Sequence, residues 1–280
     1  MTPIKLMING LPGNVAAIVA RHALEDKRFE LLQKSLTGPD ISEKFCEISD
    51  VKIELISPDQ RETAISELIK TQGPFISIDY THPSAIIENA RFYCRRQLPF
   101  VMGTTGGDRA ALNDIVVASS IQAVIAPNMA KQIVGFQAMM EYAAQTFPGL
   151  FEGYSLEIKE SHQKGKADTS GTAKAMVGYF NRLGVPFQED QIIQIREPEV
   201  QKKELNVPED YLKGHGWHTY SLDSKDKTAH FEFSHNINGR DIYAEGTFDA
   251  AIFLAGMLDD SETGRVFSMI DVLKKRAGDS

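Results

Sequence analysis

Apolar and polar residues in this chain follow one pattern up to about residue 130 and another after it. In the first stretch, short apolar runs alternate with segments whose apolar residues recur at helical spacing. Ile4 to Ile8, Phe29 to Ser35, Val51 to Ile56, Phe75 to Asp79, Pro99 to Met102 and Ala123 to Ala126 predict strands. The segment after Asn14 predicts a helix, as do Arg61 to Gln72, Ser84 to Gln97 and Arg109 to Ser119. Apolar runs such as Phe75 to Ile78 suit parallel strands covered on both faces. Regular alternation of strand and helix predicts an α/β unit with a Rossmann-like, doubly wound parallel sheet.

A long helix from Gln132 to Phe147 leads out of that unit, and strands then dominate. Tyr154 to Glu160, Gln191 to Arg196, Trp217 to Leu222, Thr228 to His235 and Asp241 to Thr247 predict an open mixed sheet, with one helix after Ser170. This reads as a second, α+β domain. Helices at Phe248 to Leu258 and Gly264 to Lys275 close the chain and are expected to return to the first domain. The expected division is residues 1–130 with 248–280 for the first domain and 131–247 for the second.

Composition narrows the function classes. With 280 residues, 42% hydrophobic and 24% charged, the chain is an ordinary globular protein with room for two cores. A net charge of -8 argues against nucleic acid or an anionic membrane as the main partner. The lysines near residue 165 go against that sign and point to a small anionic ligand. Two cysteines, Cys46 and Cys94, form neither a CxxC pair nor a His/Cys cluster, so neither a metal nor a disulfide framework is expected. The first residues show no leader pattern and no apolar run approaches bilayer length, so a cytoplasmic location is expected, with a processed organelle protein as the alternative.

Two stretches carry candidate chemistry. At the start, Asn9-Gly10-Leu11-Pro12-Gly13-Asn14-Val15-Ala16 places G-x-x-G-x-x-A between a strand and a helix, a variant of the dinucleotide fingerprint. Gly10 and Gly13 would admit a pyrophosphate to the helix N-terminus, beside Asn14 and Val15. NAD-specific folds place a carboxylate on the adenosine ribose, but here the second strand ends in Lys34-Ser35-Leu36-Thr37 with no acid before Asp40. Hydroxyls and a lysine suit a 2′-phosphate, so NADPH is expected over NADH. The second stretch is Tyr154 to Ala175. There His162, Lys164 and Lys166 lie in a polar loop, expected to run from Ser161 to Thr169, that ends at the helix start Ser170-Gly171-Thr172. Amides at a capped helix start bind carboxylate or phosphate, and the histidine one loop upstream can give a proton. Taken alone, these residues leave an anion-binding active site and an ordinary capped helix after a solvated loop as alternatives.

NGLPGNVA, IDYTHP, GTTGG, the APNM turn and ESHQKGKADTSGTAKA, in this order, resemble the dihydrodipicolinate reductase family of lysine and diaminopimelate synthesis. The last motif is the most specific, close to the family pattern E-x-H-H-x-x-K-x-D-x-x-S-G-T-A, and Ser161, Gln163, the shortened Asp168-Thr169-Ser170 and the tail with HNINGRDIYAEGT resemble the plant and cyanobacterial branch more than the common bacterial one. The resemblance implies reduction of dihydrodipicolinate, or its 4-hydroxy-tetrahydro precursor, to tetrahydrodipicolinate with NADPH or NADH. It implies His162 as proton donor, Lys166 as its helper and carboxylate partner, and Ser170, Gly171 and Thr172 as the carboxylate cradle. It places Gly10 and Gly13 at the pyrophosphate. Asp79, Tyr80, Thr81, Gly103, Thr104, Thr105 and Asn128 fall on loops near the cofactor, and a homotetramer through the second-domain sheet is implied. Gln163 stands where the family has a second histidine. A dehydrogenase for another small acid, such as aspartate, or a non-catalytic nucleotide sensor are the competing readings.

Overall fold

A computed structural model describes residues 2–166, 168–258 and 263–278. In chain order, β1 (Ile4–Asn9) leads into α1 (Asn14–Glu25), β2 (Phe29–Leu31) and β3 (Lys34–Leu36). Then come β4 (Phe45–Ile48), β5 (Val51–Ile56), α2 (Arg61–Gln72) and β6 (Ile76–Asp79). They are followed by α3 (Ile86–Arg95), β7 (Phe100–Met102), α4 (Arg109–Val117) and β8 (Gln122–Ile125). Next are α5 (Lys131–Thr146), β9 (Ser155–His162), α6 (Gly171–Arg182), β10 (Ile193–Ile195) and α7 (Pro198–Lys203). The chain finishes with β11 (His215–Asp223), β12 (His230–Asn238), α8 (Ile242–Met257), β13 (Arg265–Phe267) and α9 (Met269–Gly278).

Two compact units result, residues 1–131 with 241–280 and residues 132–240. The first holds a six-stranded sheet in the order β13-β8-β7-β6-β1-β2, parallel throughout. Its strands are apolar on both faces, as a sheet with helices on either side requires: Leu6, Met7, Ile8, Ile76, Ile78, Val101 and Met102 are all buried. The strand order reverses beside β1, and open α/β sheets bind ligands at the carboxyl ends of the strands around such a switch point. The second unit holds the mixed sheet β10-β9-β11-β12, with β9 antiparallel to β11 and parallel to β10. Ile158, Tyr220 and Leu222 form its core with Met140 of α5 and Ala173, Met176 and Phe180 of α6.

Several elements depart from the sequence expectations. The run Phe29 to Ser35 is two strands: β2 pairs with β1, while β3 pairs with β5 in a separate three-stranded sheet with β4. Asp241 to Thr247 is not a strand: Asp241 is the N-cap of α8 and Ile242 to Thr247 form its first part. Seven residues alternate too briefly to separate the two periods. Burial settles the matter, because Ala244, Thr247, Phe248, Ala251 and Leu254 recur at helical spacing. Gly246 is required there, since a Cβ would run into the Met129 carbonyl. β9 continues two residues past its expected end, through His162, and Arg265 to Phe267, within the helix expected from Gly264 to Lys275, is strand β13 paired with β8, the helix α9 starting only at Met269.

Candidate active site

β9 pairs with β11 through its last residues, Ser161 opposite Trp217 and His162 opposite Gly216. His162 therefore stands on a hydrogen-bonded strand, not in a loop. Gln201 of α7 pins the strand end, donating to the His162 carbonyl at 2.7 Å and the Ile195 carbonyl at 3.1 Å. The His162 ring is fixed by Nδ1, which donates to the His215 carbonyl at 3.1 Å. His215 is fixed in turn, its Nδ1 donating to the Tyr211 carbonyl and its Nε2 accepting from the Ser161 hydroxyl.

This leaves His162 Nε2 buried with no hydrogen-bond partner among the described residues, 4.0 Å from Glu160 Oε2. Burial holds the imidazole below the usual histidine range, and the Glu160 carboxylate opposes that effect. Behind it, His218 is held well below the range and His235 is pulled down to about 4, both chiefly by burial. The His218 ring lies 5.1 Å from His162 and 4.7 Å from His235.

Glu160 joins strand and helix. Its side chain is fully buried and pairs with Arg196 through Oε1, while Oε2 accepts the Ser170 amide at 3.0 Å. The His162 ring and the N-terminus of α6 thus converge on one carboxylate oxygen. Ser170 caps α6, accepting the Thr172 amide at 3.2 Å, and Gly171 opens the helix on an exposed face. A Cβ at Gly171 would meet nothing within 4 Å, so this helix start is open to an anion. Lys166 is mostly shielded and its Nζ donates to Asp168 at 2.8 Å, which holds that carboxyl below the ordinary aspartate range. The donor atoms of Glu160, His162 and His218 lie within 4.8 Å of one another. Arg196 and the Ser170 amide already engage both Glu160 oxygens, and the guanidinium sets a positive charge beside them, which disfavours a cation there.

In the first unit, Gly10 has φ of +102°, and a side chain there would run into the Tyr80 carbonyl. Gly13 donates to the Gly10 carbonyl at 2.8 Å and is the N-cap of α1, with no side chain to satisfy the amides of the first turn, Asn14 and Val15 among them. A helix start of this kind, lined by glycine and without a capping side chain, suits an anion such as a pyrophosphate. Gly10 also donates to the Leu36 carbonyl, and Thr37 donates to the Leu11 carbonyl, so the end of β3 borders the turn. Ser35 is buried with its hydroxyl facing the Leu11 amide, and Lys34 pairs with Glu54 at 2.7 Å. Thr37 and Gly38 are therefore the residues presented at the end of β3.

Asp79 organises the two loops at the carboxyl ends of β6 and β7. Fully buried, its carboxylate accepts from the Thr81 amide and hydroxyl, the Thr104 hydroxyl, Asn89 and Tyr93. Its carbonyl accepts the Gly103 and Thr104 amides. Tyr80 lies along Gly103, where a Cβ would meet its ring, and its hydroxyl is 2.5 Å from that of Thr247. Thr105 is exposed beyond this clamp, and Asn128 spends its side chain accepting the Ala130 amide before α5. Of the further residues in the arrangement, Glu160, Arg196, His218 and Gln201, sequence motifs gave no hint of the last three. Glu160 alone had a signal, its position at the head of the histidine motif.

Comparison with known proteins gives a consistent result. Family models of the dihydrodipicolinate reductase N-terminus and C-terminus match residues 4–129 and 133–273. The chain is 44% identical over 272 residues to 4-hydroxy-tetrahydrodipicolinate reductase 2, chloroplastic, of Arabidopsis thaliana, covering 97% of this chain and 78% of that protein. It is 42% identical to a probable 4-hydroxy-tetrahydrodipicolinate reductase 2, chloroplastic, of Oryza sativa subsp. japonica, covering 96% and 83% of the two chains. Its fold is similar to a dipicolinate-bound dihydrodipicolinate reductase from Paenisporosarcina sp. TG-14, with a TM-score of 0.64 and 17% identity over 96% of this chain and 98% of that one.

Proposed function

The chain belongs to the dihydrodipicolinate reductase family, and on that premise we propose how its residues carry the reaction. It is an oxidoreductase of lysine synthesis through diaminopimelate, reducing 4-hydroxy-tetrahydrodipicolinate, or the dihydrodipicolinate formed from it by loss of water, to tetrahydrodipicolinate. When bound, a reduced nicotinamide cofactor supplies the hydride.

In this reading the substrate occupies the second unit. Ser170, Gly171 and Thr172 take one ring carboxylate on the α6 amides, and the Lys166 ammonium leaves Asp168 to meet it. As hydride arrives, negative charge builds on the ring, and His162 Nε2 delivers a proton. The observation that carries this is His162 Nε2, buried without a hydrogen-bond partner among the described residues and held 4.0 Å from the Glu160 oxygen that also accepts the Ser170 amide at the open start of α6. Gln163 adds no second imidazole, so one histidine serves as acid.

The cofactor is assigned to the first unit. Gly10 and Gly13 with the amides of Asn14 and Val15 hold the pyrophosphate, and the loops of Asp79 to Thr81 and Gly103 to Thr105 with Asn128 border the nicotinamide. NADPH is proposed over NADH because Thr37 and Gly38 end β3 without a carboxylate and Lys34 brings positive charge nearby, shared with Glu54. A homotetramer is proposed through the open face of the second sheet, which carries Trp217, Thr219 and Ser221; sedimentation of the purified protein tests it. No described helix is long and apolar enough to cross a membrane. Cys46 and Cys94 are free, as in reducing compartments. The cytoplasm is the proposed location, and cell fractionation distinguishes it from the chloroplast named for the plant relatives.

His162→Gln tests the acid role. Turnover is expected to fall by about a hundredfold or more, with NADPH affinity unchanged. Full turnover in the variant would remove His162 from the reaction.

A further inference from the structure

Arg196 follows β10 directly and runs beside the strand that carries His162, its side chain only 14% exposed. Its guanidinium reaches three parts of the surrounding chain. Nε donates to the Lys166 carbonyl at 2.8 Å, Nη1 to the Glu160 carbonyl at 3.3 Å, and Nη2 to the Asp168 carbonyl at 3.5 Å and to the Glu160 carboxylate. A further Nη1 bond to the Ile195 carbonyl ties the fork to its own strand.

We propose that Arg196 is a positioning residue for the reduction. By gripping the Lys166 and Asp168 carbonyls and the Glu160 carboxylate together, it fixes the loop between β9 and α6, so that the Lys166 ammonium and the His162 ring address one substrate. The proposal rests on the reading of His162 as the acid. Only a planar fork with five donors can serve acceptors on both sides of the loop at once; an ammonium offers charge without that span. Among the described residues the loop's other ties include a turn bond from the Lys166 amide to the Gln163 carbonyl, the Thr169 hydroxyl accepting from Gln194 at 2.7 Å, the Ser170 amide on Glu160, and an exposed Lys164 contact to Glu197 at 3.5 Å; none of these joins Lys166 and Asp168 to Glu160, as the Arg196 fork does.

Arg196 has a second effect through charge. The His162 ring faces Glu160 on its own strand, Arg196 beside β10, Lys166 on the loop, His215 and His218 on β11 and His235 on β12. Glu160 favours the imidazolium, whereas Arg196 and Lys166 oppose it. Because Arg196 is bound to Glu160, it partly neutralises the carboxylate that would otherwise raise the ring. An acid must be protonated, so turnover falls as pH rises through the His162 pKa. Removing Arg196 moves that falling limb to higher pH, and removing the Glu160 charge moves it to lower pH.

The experiment compares Arg196→Lys, Arg196→Gln and Glu160→Gln with the unmodified full chain and His162→Gln. It measures kcat and KM for the dicarboxylate across pH, and NADPH dissociation by fluorescence. Arg196→Lys is expected to lose about a hundredfold in kcat, with NADPH affinity within about twofold and the falling limb in place, because charge is kept and the fork is lost. Arg196→Gln adds an upward shift of the limb of roughly one pH unit, and Glu160→Gln shifts it downward. Arg196→Lys with kcat within about threefold of the unmodified enzyme would overturn the proposal, as would limbs that stay fixed in both neutral variants. Should Arg196→Gln fail to fold, Arg196→Lys and Glu160→Gln still decide the matter. Full activity in His162→Gln would instead defeat the reading of the acid, whatever the Arg196 variants do.

Discussion

Replacing Asp79 by Asn changes one atom and removes one charge at the point where the β6 and β7 loops are joined. The carboxylate accepts five hydrogen bonds: Oδ1 from the Thr81 amide at 3.1 Å, the Thr81 hydroxyl at 2.8 Å and the Thr104 hydroxyl at 2.7 Å, and Oδ2 from Asn89 at 3.0 Å and Tyr93 at 2.8 Å. An amide keeps one oxygen. With that oxygen toward Thr81 and Thr104, the new amide nitrogen confronts the donor of Asn89 and a Tyr93 hydroxyl that already accepts from Asn9 at 3.1 Å. Two bonds to a charged acceptor are lost, each worth about 1.5–3 kcal/mol, and partial recovery by rotation of the Tyr93 hydroxyl leaves a deficit of about 3 kcal/mol. Tyr93 cannot relieve it by ionising, because burial, the largest cause holding its phenol well above the ordinary tyrosine range, is unchanged by the substitution. Urea unfolding followed by circular dichroism should show the midpoint falling by about 1 to 1.5 M, with NADPH affinity falling as the loops loosen. A midpoint within about 0.3 M of the unmodified protein would refute the view of Asp79 as the joint of these loops.

Other substitutions probe the remaining parts. Gly171→Ala should stabilise α6 by about 0.5–1 kcal/mol, because a Cβ there meets nothing, while raising KM for the dicarboxylate; thermal melting and kinetics must therefore move in opposite senses, and an unchanged KM would place the substrate elsewhere. His162, His215, His218 and His235 are all held below their ordinary range in the folded protein, mainly by burial. The unfolded chain therefore takes up protons first, and stability present above about pH 6.5 is lost as pH falls toward the value of about 4 held by His235. Urea midpoints between pH 7 and 5 should decline, and a flat profile would contradict the burial of these rings. Glu54→Gln frees the Lys34 ammonium from its 2.7 Å ion pair and should raise the preference for NADPH over NADH several-fold; an unchanged ratio of kcat/KM values would take Lys34 out of cofactor selection.

Much of the architecture was legible because its signals are local. The turn Gly10 to Gly13 lies between an apolar run and an amphipathic one, and helix α2 begins and ends at the residues its periodicity indicates. The cap Ser170 was visible as a small hydroxyl ahead of an apolar stripe. What escaped depends on partners distant in sequence. β9 extends through His162 because β11, more than fifty residues on, continues to pair with it, and nothing in Ser161 or His162 announces that ladder. β3 leaves the main sheet to pair with β5, a tertiary choice that the apolar run from Phe29 to Ser35 does not encode. Asp241 to Thr247 misled because its small residues suit either period, and packing against the Met129 carbonyl selects the helix. Arg196 and Gln201 gave no signal either, since Gln201 acts on backbone carbonyls and Arg196 on carbonyls and on Glu160, 36 residues away, which no local motif reveals.

The most direct test of the functional reading is the rate of NADPH oxidation by the purified protein, with substrate freshly generated from pyruvate and aspartate semialdehyde and with NADH run in parallel. Rapid, substrate-dependent oxidation that is faster with NADPH is the predicted result. No substrate-dependent oxidation with either cofactor, from folded protein shown to bind the nucleotide, would contradict it.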